Sequence, residues 1–419
     1  MHAISLSVLA TWIVAGLATA AVIVRPWRLP EAIWAVTGAT ILVVAGLLPF
    51  HEAIAAVAEG GDVYLFLVGM MLLSEVARRE QLFDWLAVRA VRMSGGSSLR
   101  LFGLIYGVGT VVTAFLSNDA TAVVLTPAVF AATRAAEVEP LPFLLICAFI
   151  ANAASFILPI SNPANLVLYA SRMPPLASWI GHFILPAALS VAATFIVLLL
   201  IERSCLRRPV RTDVEQPSLP GGGVVAAIGI ALTGLVLLGA SALGLQLGLP
   251  TALAGLATAA LVWVRKRESP LPTLRGVSWE VLPLVAGLFV LVAGLRHTGL
   301  VTLLAQHLHR LAQTAPEGGP FGAGAVLAVL CNVMNNLPAG LLAGSAVQAG
   351  HLPQPMTDAL LIGVDLGPNL SITGSLATIL WLSALRREGL EVSFGRFLSR
   401  GALVMPPALL LALAGLLLL

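Results

Sequence analysis

The sequence predicts an all-α polytopic membrane protein built from two inverted repeats, with about ten transmembrane helices plus two re-entrant helical hairpins. Three observations lead there. First, 58% of the 419 residues are hydrophobic and only 10% are charged, with a mean hydropathy of +0.97. A soluble domain carries roughly 25% charged residues, so lipid must be the solvent for much of this chain. Second, short polar clusters interrupt long apolar runs. Third, the two halves of the chain match at a nearly fixed offset.

Runs of about 17–25 apolar residues mark spanning helices. They lie, in order, near 4–24, 31–49, 62–78, 141–170, 178–202, 224–243, 250–264, 280–296, 357–384 and 397–418. The first is too long for a signal-peptide core and lacks a basic leader, so it reads as a retained span. Two longer stretches remain, 100–134 and 320–349. As one straight helix the first would run about 50 Å, against an apolar slab of roughly 30 Å. Each stretch carries a polar cluster near its middle, Ser117-Asn118-Asp119 and Asn335-Asn336, so each is expected to break there.

Charge placement decides how they break. The basic clusters are Arg25/Arg28, Arg78/Arg79/Arg89/Arg92, Arg203/Arg207/Arg208/Arg211, Arg265/Lys266/Arg267 and Arg386/Arg387. The positive-inside rule wants all of them cytoplasmic. From an outside N-terminus this holds only if 100–134 and 320–349 each enter and leave by the same face. The walk puts both termini outside. The small net charge of +3, spread over such loops, does not suggest a nucleic-acid partner.

At an offset of 218 residues, 61–87 aligns with 279–305, Gly69 meeting Gly287 and Arg78 meeting Arg296. The same offset puts Ser117 on Asn335 and Asn118 on Asn336. At an offset of 213, 151–166 aligns with 364–379. The expected organisation is a first half, 1–202, with hairpin 100–134 and broken helix 141–170. A cytoplasmic linker, 203–223, rich in charge and then in Pro and Gly, reads as flexible. The second half, 224–419, carries hairpin 320–349 and broken helix 357–384. The two copies run in opposite directions through the membrane in this scheme. Inverted repeats with helices interrupted at matching places are the mark of secondary transporters.

The four interruptions are Ser117-Asn118-Asp119, Ser161-Asn162-Pro163-Ala164-Asn165, Asn335-Asn336-Leu337-Pro338, and Thr373-Gly374-Ser375 with Thr378. Breaking a helix frees backbone N–H and C=O groups, and Asn and Ser side chains add donors and acceptors. No basic side chain stands among them, which favours a small neutral polyhydroxyl solute over an anion. Candidate solute ligands are Ser117, Asn118, Asn165, Asn335, Asn336, Ser375 and Thr378. Asp119, and Asp365 in the last broken helix, are candidate proton carriers, since a low-dielectric setting disfavours a carboxylate's charge. The plainer alternatives stay open: Asp119 as a helix-start acceptor, and the asparagines as glue between helices. Cys147, Cys205 and Cys331 form no CxxC pair, so no zinc site or disulfide framework is indicated, and no cofactor is expected. Cys147 and Cys331 read as buried small apolar residues. Glu75 reads as an ion-pair partner of Arg78 and Arg79, His307 and His309 as solvated loop residues, and Trp179, Trp279 and Trp381 as interfacial anchors.

FLSNDATAVVLTP at 115–127, SNPANL at 161–166 and NNLPAG at 335–340 together resemble the arsenite efflux permeases (ArsB) of the ion transporter superfamily. The resemblance covers essentially the whole chain, and the three motifs in this order are more specific than any one alone. It implies an inner-membrane antiporter exporting arsenite and antimonite against proton influx, with Ser117, Asn118, Asp119, Asn165, Asn335 and Asn336 at the site. It also implies, for some members, a soluble ATPase partner. Thr373-Gly374-Ser375 departs from Ser161-Asn162-Pro163, which weakens the carry-over at that corner. Arsenite at neutral pH is As(OH)3, uncharged and rich in hydroxyls, and it suits the amide-and-hydroxyl cradle. The alternatives are a sodium/proton antiporter or a sodium-coupled carboxylate carrier of the same superfamily, and, in another class, a passive channel. The absence of HExxH and GxSxG motifs argues against an intramembrane enzyme.

Overall fold

The computed structural model describes residues 5–169, 173–215 and 218–418; Ile4 of the first expected span, Ala170 of the first broken helix and Gln216-Pro217 of the linker lie outside them. The described chain is helical, with no strand beyond one isolated bridge between Ser97 and Pro209. The first half runs α1 (Leu6–Val24), α2 (Glu31–Val44), α3 (Phe50–Glu59), α4 (Gly61–Arg79), α5 (Leu82–Met93) and α6 (Ser98–Phe115). It continues through the short α7 (Asn118–Ala120), a π turn (Thr121–Leu125), α8 (Thr126–Ala135), α9 (Leu141–Ala153), α10 (Pro163–Tyr169) and α11 (Leu176–Glu202). The second half runs α12 (Gly221–Ala242), α13 (Gly248–Lys266), α14 (Leu271–Gly276), α15 (Val281–His297), α16 (Leu300–Thr314) and α17 (Gly318–Met334). Then come α18 (Asn336–Gly350), α19 (Gln354–Leu366), α20 (Leu376–Arg387) and α21 (Phe394–Leu416).

Six of these helices, α1, α6, α11, α12, α13 and α21, are long and apolar enough to cross a bilayer. Two bent pairs, α3 with α4 at 45° and α15 with α16 at 76°, bring the number to as many as eight where each pair makes one span. The other expected spans fall on the shorter α2 and on the interrupted helices α9/α10 and α19/α20, where length alone does not identify a crossing. The chain is thus an all-helical, multi-pass membrane protein.

Helix boundaries recur along the chain. At an offset of 218, α1 to α6 fall on α12 to α17, and at 213, α9, α10 and α11 fall on α19, α20 and α21. Even a turn repeats: Gln81 (φ 59°) and Gly299 (φ 81°) both take the left-handed conformation that starts α5 and α16. The packing follows the same plan, with α4 against α13 and α15 against α2. Small residues let these backbones approach closely, as in membrane helix pairs generally. A Cβ added to Gly255 on α13 would lie 2.8 Å from Gly69 Cα on α4, and one on Gly287 of α15 would lie 2.7 Å from the Ala35 carbonyl carbon on α2. The aligned glycines Gly69 and Gly287 therefore mark the crossing points.

Several side-chain expectations hold. Arg78 pairs with the buried Glu75 at 2.6 Å, and Cys147 and Cys331 are buried free thiols. Others do not. Trp179 and Trp381 are fully buried rather than interfacial, because each indole N–H has a carbonyl partner inside: Phe156 O at 3.1 Å and Leu144 O at 2.8 Å. His307 and His309 lie on α16, not in a loop. That helix is amphipathic and buries only Val301 and Ala305, so it carries no long apolar run. Nor is the whole linker loose. Val210 N–H donates to Gly96 O (3.0 Å), Arg211 N–H donates to Ala136 O (3.0 Å), and the Arg211 side chain pairs with Glu137 (2.6 Å). Ser98 Oγ donates to Arg208 O. The extended backbone of 208–211 thus finds partners just before α6 and just after α8, at both ends of the first hairpin stretch.

Candidate functional site

Each helix interruption is built by a capping side chain. Ser117 is extended (φ 171°), and its Oγ accepts from Ala120 N–H at 3.2 Å. Thr113 Oγ1 meets Thr121 Oγ1 at 2.8 Å. Residues eight apart in a continuous helix are separated by about 12 Å along its axis, so the chain folds back at this point. Asn335 occupies the aligned position, and its Oδ1 accepts from Leu337 N–H at 3.3 Å. Its backbone (φ 71°, ψ 151°) is a conformation suited to glycine, costing about 1–3 kcal/mol for a side-chain-bearing residue. Such strain persists only where the surroundings over-determine it. Here the Asn335 amide also donates to Thr373 O at 3.4 Å.

The breaks in the other two helices use the same devices. Asn162 Oδ1 caps α10 by accepting from Ala164 N–H (3.0 Å), and Ser375 Oγ caps α20 by accepting from Thr378 N–H (3.1 Å). Each break is tied to the neighbouring hairpin arm: Ser161 Oγ donates to Ala114 O and Thr373 Oγ1 donates to Asn332 O, both at 2.9 Å. Ala114 and Asn332 are aligned positions. Asn332 also accepts from Ser371 Oγ at 2.7 Å and donates to Gly367 O at 2.9 Å.

Between the breaks the two halves join. Asn162 Nδ2 donates to Asp365 Oδ1 at 2.5 Å. Asn152 Nδ2 donates to Asn369 Oδ1 at 3.0 Å and to Thr378 Oγ1 at 3.4 Å, and Asn369 donates back to Phe149 O at 3.0 Å. Three buried oxygens in this zone, Asn152 Oδ1, Asn165 Oδ1 and Asp365 Oδ2, accept no direct hydrogen bond among the described residues, although the Ser155 hydroxyl, which donates to Asn152 O at 2.7 Å, stands beside the Asp365 carboxylate. Buried acceptors are normally satisfied, so these three oxygens are candidates to take a hydrogen bond from water or a solute, a proton or a cation.

The sequence-derived candidates divide by what their side chains are doing. Ser117, Asn335 and Ser375 spend an oxygen on caps, and Thr378 is bound to Ser375 Oγ at 2.8 Å as well as to Asn152. Asn165 donates to Ser155 O (2.9 Å) and Pro159 O (3.3 Å), bracing the broken segment. Asn118 Oδ1 accepts from the Asp119 N–H (2.9 Å), and Asn336 is buried at the aligned place. Asp119 is half-buried, and no described residue donates to its carboxylate; the cap at that helix start belongs to Ser117. Asp365 and Thr378 meet side chains of the first half at the crossover. No hydrogen bond among the described residues joins 117–119 directly to 335–336. The tips are linked through α10 packed on α18, and α20 packed on α7 and the π turn. Sequence reasoning missed Asn332, Asn369 and Ser371, polar residues close to recognised motifs, and a cluster at Asp358, a carboxylate standing openly in an apolar run.

A cleft lined by Asp62, Arg296, Ser345 and Gln348 separates α4 and α15 from α10 and α18. Paired broken helices around neutral polar groups, set in a multi-pass helical body, define a membrane transporter. A family model described as "Citrate transporter" matches residues 10–363. Among curated relatives, the arsenical pump membrane protein of Yersinia enterocolitica is 30% identical, with 92% of this chain and 95% of the relative covered. One from Escherichia coli is 28% identical, covering 83% and 84%. An uncharacterized transporter of Mycobacterium tuberculosis is 27% identical, covering 93% and 94%. The chain belongs to this transporter family, and it is related over nearly its whole length to arsenical pump membrane proteins. The fold is similar to two solved structures. The Alcanivorax borkumensis YdaH transporter has a TM-score of 0.57 at 18% identity, covering 88% of this chain and 86% of that one. Neisseria gonorrhoeae MtrF has a TM-score of 0.54 at 14% identity, covering 99% and 95%.

Proposed function

We propose that the protein is a secondary transporter of the inner membrane that exports arsenite and antimonite from the cytoplasm in exchange for protons. The observation that carries this reading is the set of four capped helix breaks, neutral and rich in amides and hydroxyls, next to the Asp119 carboxylate, to which no described residue donates. As(OH)3 offers three O–H donors and three oxygen acceptors. The Asn118 and Asn336 amides, together with free N–H groups at the helix starts, supply both complements. Asp119 accepts a solute hydroxyl when charged and releases it on taking a proton, while Asp365, bonded to Asn162, carries a proton at the crossover. Buried thiols play no part, because a thiolate–arsenic bond would hold the cargo too tightly for release.

The two matching halves are read as inverted, with alternating access as rocking of one helix set against the other around the breaks. Arsenite and antimonite resistance in a sensitive host, with and without a proton uncoupler, tests the function: resistance that survives the uncoupler overturns the coupling. A second reading, a sodium-coupled carrier or sodium/proton antiporter, draws on the same three oxygens of Asn152, Asn165 and Asp365, which also suit a small cation. Transport that requires sodium would favour it.

A further inference from the structure

A second polar cluster lies at the far end of the same helix pair. Asp358, on α19, is buried, with its side chain 5% exposed, yet it has several polar partners. Tyr169 O–H donates to its Oδ1 at 2.5 Å, Gln354 Nε2 donates to the same oxygen at 2.7 Å, and His182 Nδ1 stands 3.1 Å from its Oδ2. His182 is the accessible member, with its side chain 38% exposed. Gln354 also reaches Tyr169 Oη at 3.2 Å. No other charged side chain lies within ion-pair distance of Asp358 among the described residues, from α19 or from the helices packed on it.

The register of the helices gives this cluster a destination. Asn162 bonds Asp365 and Tyr169 bonds Asp358, so α10 and α19 run antiparallel with two polar rungs, seven residues apart on each strand of the seam. That spacing is two helical turns, about 10 Å. Asn165 lies between the rungs on α10, and its buried Oδ1 has no hydrogen-bond partner among the described residues. The seam also has a direction. From His182 to Arg203 along α11 is about 30 Å, the thickness of the apolar slab. His182 therefore sits at the face opposite the basic cluster Arg203/Arg207/Arg208, which is the outer face if that cluster is cytoplasmic.

We propose that His182, Asp358 and Tyr169 form the outer proton mouth of the transporter, feeding Asp365 along the α10/α19 seam. This rests on the reading of Asp365 as a proton carrier. A proton from outside water arrives at His182 Nε2, and the proton on Nδ1 passes to Asp358 Oδ2. Asp358 then yields a proton, through water held at Asn165 Oδ1, to Asp365 Oδ2. Asp358 is then again a carboxylate and His182 is left as the Nε2–H tautomer; a flip of its ring turns that N–H back toward Asp358 and completes the cycle, so one proton moves inward and nothing is oxidised or reduced. An imidazole has two ring nitrogens, so it can take a proton on one side and hand one on from the other.

The test uses the full chain in everted membrane vesicles, whose lumen is the outer face. Respiration-driven arsenite uptake is measured beside exchange of labelled for unlabelled arsenite at uniform pH, which needs no net proton movement. Asp358→Asn is expected to lower driven uptake by at least about tenfold while leaving exchange intact, with Asp358→Glu restoring uptake. His182→Gln is expected to change the dependence of uptake on lumenal pH. If Asp365→Asn keeps driven uptake, the carrier reading itself fails. If Asp365→Asn loses it while Asp358→Asn and His182→Gln behave as the parent, the mouth is overturned and the carrier stands. Should Asp358→Asn lose exchange as well, His182→Gln decides alone: an unchanged lumenal pH dependence overturns the proposal.

Discussion

Asp119 sits among residues that are each fastened to something, and its carboxylate has no hydrogen-bond partner among the described residues. A charged group at membrane depth without a structural partner reads as functional. Asp119→Asn is nearly isosteric and should leave the protein folded while abolishing respiration-driven arsenite uptake in everted vesicles; undiminished uptake would remove it from coupling. Trp179 and Trp381 are the opposite case, fully enclosed and hydrogen-bonded to carbonyls. Replacing either with Ala should cost about 3–5 kcal/mol, read as a lowered unfolding temperature in detergent. The polar motifs at 117–119, 335–336 and 373–375 were legible in the sequence because lipid makes any amide or carboxylate conspicuous. Their division of labour was not. Whether an Asn caps a helix, braces a loop or faces a solute depends on what stands opposite, and Asn165 and Asn152 find their partners only in the folded chain.

Helices show the same split. Long apolar helices such as α11 and α21 are legible from hydropathy alone. The helices α3, α5, α14 and α16 are short or two-faced and bury few residues, so an apolar-run search passes over them. The aligned glycines did announce something, and the structure says what: Gly69 and Gly287 sit where α4 meets α13 and α15 meets α2. Gly69→Leu or Gly287→Leu should force these helices apart and sharply reduce the yield of folded protein. Gly239→Leu, on α12 with open space before its Cβ, should be tolerated. Protein recovered after detergent extraction measures both.

Across the whole molecule, the recurrence of α1–α6 as α12–α17 extends a weak sequence match into a shared order of elements. The inverted arrangement proposed for the two halves places the 203–223 segment in the cytoplasm. Cys205 is a natural reporter of that placement, since Cys147 and Cys331 are enclosed. A membrane-impermeant maleimide should label Cys205 in everted vesicles and not in intact cells; labelling in intact cells would reverse the topology.

The short stretch 208–211 clasps Gly96, Ser98 and Ala136 before the chain goes on toward α12. The first half therefore carries its own closing strap, and the covalent join to the second half lies beyond it. A gene divided after Asp213 should yield two polypeptides that find each other in the membrane and restore arsenite resistance together. A division after Glu202, which strands the strap on the wrong fragment, should do so poorly.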